Sequence, residues 1–172
     1  FSFTVLAYQG VVMQMVAHAL SIAGLFLLSE AIFSRIGSFD MNRMGRFWET
    51  MPRMGGMTVV LVMASVGLPG LANFVAEFLV LAGAWQAHLV LSVLASLGLI
   101  SSVVYSLVIL QRVFHERESQ LKGTRDLSAR ELLVSGLIIV AILWLGLFPA
   151  PVMHTAAPAV QHIVSIVNTA IK

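Results

Sequence analysis

The sequence has no cysteine, which excludes disulfides, thiolate catalysis and cysteine-ligated metals from its 172 residues. Charge is almost as scarce. Asp, Glu, Lys and Arg make up 10% of the chain, where a soluble domain carries about 25%. The period-two alternation of a membrane barrel is missing, as are a P-loop, a dinucleotide fingerprint and a nucleophile elbow. What is present is hydrophobic: 59% of residues, with a mean hydropathy of +0.94. Several apolar runs reach the roughly 20 residues a spanning helix needs, and a helix satisfies its own backbone in lipid. The expected fold class is therefore all-α, with polytopic transmembrane helices. The pI near 9.5 reflects a net charge of +2 on a chain poor in acids, so no nucleic-acid partner is expected. His88, His115, His154 and His162 fall in loops or near surfaces and are too widely separated for a metal site. Residue 1 is Phe and opens directly into hydrophobic sequence, without the charged region or cleavage site of a signal peptide. The expectation is a piece of a longer polypeptide, starting just ahead of a membrane helix.

Residues 1–172 read as a single membrane domain with four spans, at about 8–34, 57–84, 89–110 and 132–148. The loops at 35–56 and 111–131 hold nine of the ten Lys and Arg residues. The turn at 85–88 and the tail at 149–172 hold only Lys172. The positive-inside rule then places both loops in the cytoplasm and the C-terminus outside. Asp126 or Ser128 is positioned to cap the last span, and Pro149 and Pro151 end it. The tail, which contains Pro158, reads as a short helix lying along the membrane surface.

The second span holds the feature that composition does not explain. Glu77 is the only formally charged residue between Arg53 and Arg112, and an acid within a membrane costs about 2.5–3.5 kcal/mol on insertion scales. Gly67-Leu68-Pro69-Gly70 precedes it. Proline has no backbone donor and clashes with the carbonyl four residues back, so the carbonyl of Ser65 is expected to lose its helical partner. Broken helices of this kind mark ion and substrate sites in transporters. At 1.5 Å per residue Glu77 lies roughly 12 Å from the turn at Trp85, near the middle of a core about 30 Å thick. A carboxyl group there can take up and release a proton, as a relay requires. The alternative is a structural ion pair, for which no span here offers a Lys or Arg. In the first span Gln14, His18 and Ser21 share one helix face, and His18 lies at a similar depth. It could serve in proton transfer or simply bond a backbone carbonyl. The serines and Tyr105 of the third span read as hydrogen-bonding glue between helices. Glu30 reads as an interfacial residue near the end of its span.

The segments AYQGVVMQMVAHALSIAGLFLLSE (7–30), VGLPGLANFVAEFLVLAGAWQ (66–86) and SSVVYSLVILQRVF (101–114) resemble the antiporter-like subunits of proton-pumping NADH:quinone oxidoreductase, respiratory complex I. The resemblance implies a fold of about fourteen spans with inverted repeats, of which this chain is the last part. It carries the family's central-axis histidine onto His18 and the essential residue of its broken helix onto Glu77. Glu rather than Lys at that position points to the M type (the counterpart of mitochondrial subunit 4) rather than the sister subunits L and N. It implies a translocase subunit that passes protons through His18 and Glu77 and carries no redox chemistry. No cofactor is expected on the chain, with FMN, iron–sulfur clusters and quinone held by other subunits. The implied partners are subunits L and N, an N-terminal part of the same subunit and the lipid bilayer. The implied location is a bacterial inner membrane with a periplasmic C-terminus. Sodium/proton antiporters and membrane-bound hydrogenases use a similar module and stand as alternatives. The family's other intramembrane Glu and Lys residues are not in this sequence, so it is not expected to pump alone. Arg46 follows Gly45 where relatives often have a second glycine.

Overall fold

The computed structural model describes residues 4–41, 44, 47–115 and 125–170. Arg43, Gly45, Arg46, Arg117, Lys122, Lys172 and the side chain of His115 lie outside the described residues. Among those described, all regular structure is helical: α1 (Val5–Ile36), α2 (Phe47–Thr50), α3 (Pro52–Ser65), α4 (Ala72–Ala87), α5 (Leu89–Leu110), α6 (Ala129–Leu147) and α7 (Ala150–Ala170). A π-turn, Gln111–His115, extends α5. By length and composition α1, α6 and α5 with its extension can cross a membrane.

The spine of the structure is α1. Thr4 caps its start by accepting from the Ala7 N–H, and Gly37, at φ +70°, ends it. Ala7, Gly10, Gln14, Ala17, Ser21, Gly24, Leu28 and Ala31 recur at alternating steps of three and four, and all but Gln14 are buried. Such a spacing gives one straight seam along a helix. In lipid, where hydrophobicity does not drive helices together, small residues on such a seam let backbones meet. A Cβ at Gly10 would come within 2.7 Å of the Val80 backbone nitrogen, and one at Gly83 within 2.7 Å of the Ala7 nitrogen. Thus α4 runs antiparallel to α1 in backbone contact with it. Further along the seam, Gly24 takes the side chain of Leu61 from α3.

The loop end is closed by three charged side chains. Pro52 opens α3, a position where its missing N–H costs nothing, but the cap residue Met51 offers no side-chain bond. Asp126 supplies the bonds from across the fold, accepting from the N–H groups of Arg53 and Met54 at 2.9 and 3.1 Å. The cap of α6 is Ser128, in a reciprocal capping box with Glu131. Of the two candidate caps for the last span, Ser128 takes that role and Asp126 caps a different helix. Arg35 donates through both terminal nitrogens to Glu131, at 3.0 and 2.7 Å, and also to the carbonyls of Ala31, Arg125 and Asp126. Glu131 lies in the polar first turn of α6, ahead of the apolar stretch that starts at Leu132. The Arg35 bond lowers its carboxyl from the ordinary 4.5 to about 2.

Several sequence expectations are corrected. The first loop is partly helical, and Gly55 belongs to α3, where a Cβ would run into the Trp48 ring at 2.6 Å. The tail forms a 21-residue helix, longer than expected, which continues through Pro158 and packs on α1. Its Val160 and Val164 are buried while His154, Gln161 and His162 face outward. Three of the third span's serines bond their own helix and not a neighbour. Ser92, Ser96 and Ser101 donate to carbonyls of their own helix, and Tyr105 is 60% exposed.

Candidate functional site

The chain breaks between α3 and α4 because glycine completes a C-terminal cap before proline is reached. The N–H of Gly67 bonds the Ala64 carbonyl at 3.2 Å, and the N–H of Leu68 bonds the Met63 carbonyl at 3.1 Å. These are the paired bonds of a Schellman motif, which needs a left-handed residue after the cap, and Gly67 stands there at φ +76°. Pro69 therefore lies in the linking turn and not within a helix. Gly70, at φ +95°, turns the chain into α4. The link is backed by α6, since a Cβ at Gly146 would fall on the Gly70 carbonyl and the backbone of Leu71.

Pro69 has no N–H to offer the Ser65 carbonyl, and the carbonyl that gains a side-chain bond is the neighbouring one, that of Ala64. Its additional partner is Asn73, whose Nδ2 donates to it at 2.6 Å and to Ser21 Oγ at 3.0 Å. Asn73 and Ser21 are both fully buried. This polar group satisfies the end of α3 and ties it to α1, as backbone freed within a membrane demands.

One turn beyond Asn73, the half-buried Glu77 folds its carboxyl back onto Gly67. A Cβ on that glycine would collide with Glu77 Oε2 and lie 3.0 Å from Cδ. Gln14 of α1 lies beside the same carboxyl. Glu77 is thus held between the break and the seam of α1, with Gln14 and Ser21 facing α4. His18 diverges. It is exposed, at the edge of the face it was expected to share, and no hydrogen bond joins it to Glu77 among the described residues. Asn73 was not singled out in the sequence, where formal charge drew attention to Glu77. The available signal was a carboxamide four residues before the acid, on the same face of an apolar helix.

Among the described residues no group of His, Asp or Glu is arranged to hold a metal. The arrangement can hold a carboxyl group in a fixed place, beside a polar side chain, within an apolar bundle. Residues 1–104 match the family model described as NADH:quinone oxidoreductase/Mrp antiporter, TM. The chain belongs to this family. Its membrane-embedded helices fit that membership. It is 38% identical over 161 residues to NADH-quinone oxidoreductase subunit M of Escherichia coli K12, an alignment covering 92% of this chain and 32% of the relative. It is 40% identical over 158 residues to subunit M of Pseudomonas aeruginosa, covering 91% and 31%. The fold matches a chain in the structure of respiratory complex I from Thermus thermophilus with bound NADH. That match has a TM-score of 0.86 and 32% identity, over 95% of this chain and 35% of the other. The chain therefore spans about a third of the relatives it matches.

Proposed function

We propose that this chain is part of the M-type antiporter-like subunit of a proton-pumping NADH:quinone oxidoreductase, and that Glu77 carries protons through it. The observation that carries the reading is the carboxyl of Glu77 seated against Gly67 of a capped helix break in a family whose printed description joins quinone oxidoreductases and antiporters. The curated relatives named above are oxidoreductase subunits, which favours that reading over an antiporter or a hydrogenase module.

A carboxyl group can relay a proton when it exchanges between a proton source and a proton acceptor in reach. Gln14 is beside it, and the turn after α4, at His88 and not from Trp85 as the sequence suggested, lies roughly 16 Å along the helix. Protons reaching Glu77 would leave toward that turn. With the basic loops in the cytoplasm, this is the periplasmic side of a bacterial inner membrane, where the C-terminus also lies. His18, exposed on α1, is available to the rest of the subunit and would pass protons inward along the membrane midplane. Subunits L and N are the proposed neighbours. Without cysteine the chain has no thiolate ligands for iron–sulfur clusters, and in this reading the clusters, FMN and quinone lie on other subunits. The test is Glu77→Gln in the complete complex. The complex should assemble, while the NADH-driven proton gradient across membrane vesicles is lost. A normal gradient in that variant would rule the relay out.

A further inference from the structure

Asn73 is spent on neither charge nor packing in the relay described above, yet it is the best-connected polar side chain at the break. It is fully buried. Its amide nitrogen gives one hydrogen to the Ala64 carbonyl at 2.6 Å and the other to Ser21 Oγ at 3.0 Å. Ser21 Oγ in turn stands 3.1 Å from the carbonyls of both Ala17 and His18. Because those carbonyls can only accept, Ser21 accepts from Asn73 and donates to its own helix. The bonds therefore run in one direction, from α4 through α1 to the backbone of the turn that carries His18. A carbonyl at Ala64 also fixes the nitrogen side of the amide, so Oδ1 must face elsewhere. Asn73 Oδ1 and Gln14 Oε1 are both buried without a hydrogen-bond partner, and Gln14 adjoins Glu77.

We infer that Asn73 is a positioning residue for Glu77. It locks α4 to the end of α3 and to α1, so that one turn later the Glu77 carboxyl lands against Gly67. Its free Oδ1, with Gln14 Oε1, supplies an acceptor for a hydrogen donor on the path to that carboxyl. The inference rests on the reading of Glu77 as the proton carrier.

The experiment uses the full-length subunit in the assembled complex and measures protons moved per NADH oxidised in inverted membrane vesicles, across a range of pH. Asn73→Leu keeps a side chain of similar length but removes both donors. It should assemble and oxidise NADH while its proton yield falls about tenfold or more, since each of the two lost buried bonds shifts the balance between seated and displaced carboxyl by about tenfold. Asn73→Asp behaves differently: its neutral form can still donate an O–H to the Ala64 carbonyl, and its ionised form repels it. Its proton yield, relative to wild type, should recover toward acid pH and vanish toward alkaline pH. Asn73→Leu should show no such rescue. The groups around position 73 do not confuse this reading. Gln14 and Ser21 of α1 and the Ala64 carbonyl of α3 do not titrate, and the titratable groups nearby, Glu77 on the same helix and His18 on α1, are common to wild type and both variants.

Three results would overturn the inference: a wild-type yield in Asn73→Leu, identical behaviour of the two variants at every pH, or loss of the complex from the membrane in both. The last would make Asn73 a folding element only. Glu77→Gln separates the two levels. Normal pumping in Glu77→Gln removes the underlying reading, whereas a dead Glu77→Gln beside a fully active Asn73→Leu removes only the role of Asn73.

Discussion

Gly67 and Gly70 provide an internal control, because both adopt positive φ, +76° and +95°, and only one touches the candidate proton carrier. Replacing either with alanine forces an L side chain into a conformation that costs about 1–2 kcal/mol. At Gly70 that is the whole effect, since nothing lies within 4 Å of the added Cβ. At Gly67 the Cβ also occupies the place of Glu77 Oε2 and comes within 3.0 Å of Cδ. The end of a long side chain moves easily, so a new rotamer adds only about 0.5–1.5 kcal/mol. The two substitutions should therefore lower the thermal midpoint of the complex to a similar extent. They should differ sharply in function. Gly70→Ala should retain its NADH-driven proton gradient, and Gly67→Ala, with its carboxyl displaced from the break, should lose it at unchanged complex content. The assay is dye quenching in inverted vesicles, paired with quantitation of the assembled complex. Equal loss of pumping in both variants would show that backbone strain alone matters, and normal pumping in Gly67→Ala would show that the seat of Glu77 does not.

Arg35→Gln should cost about 1–3 kcal/mol of stability by leaving the partly buried Glu131 without its charged donor, read as a lower unfolding midpoint of the purified complex. Since the Glu131 carboxyl is lowered from 4.5 to about 2, its stabilisation is full above the ordinary value and fades as pH falls toward the lower one. The gap between wild type and Arg35→Gln should narrow below about pH 4; a constant gap would contradict the ion pair. At the seam, Gly10→Val should lower the amount of complex in membranes. Its side chain would start 2.7 Å from the Val80 backbone, and overpacking of this kind costs about 1–3 kcal/mol; an undiminished amount of complex would show that α1 and α4 can separate without penalty.

Much of this protein follows from the sequence alone. Hydrophobic runs and scarce charge require membrane helices, because a chain in lipid must satisfy its own backbone. Gly-Leu-Pro-Gly interrupts one of them for local steric reasons, and Glu77 stands out because an acid in hydrocarbon is costly. Those properties belong to single residues or near neighbours. The tertiary structure decided what depends on residues far apart. Asp126 was legible as a helix cap, but capping α3 requires it to meet Arg53 and Met54 across the fold. Gly67 ends α3 before proline is reached, and the Ala64 carbonyl, already bonded by the Gly67 N–H, takes a second bond from a carboxamide on the next helix. Gln14, His18 and Ser21 fell on one face of a helical wheel. Only the antiparallel contact of α1 with α4, set by glycines on both helices, determined that Gln14 and Ser21 face α4 while His18 is exposed. Periodicity gives an angle about one helix axis; which part of that angle is buried depends on where the second helix lies.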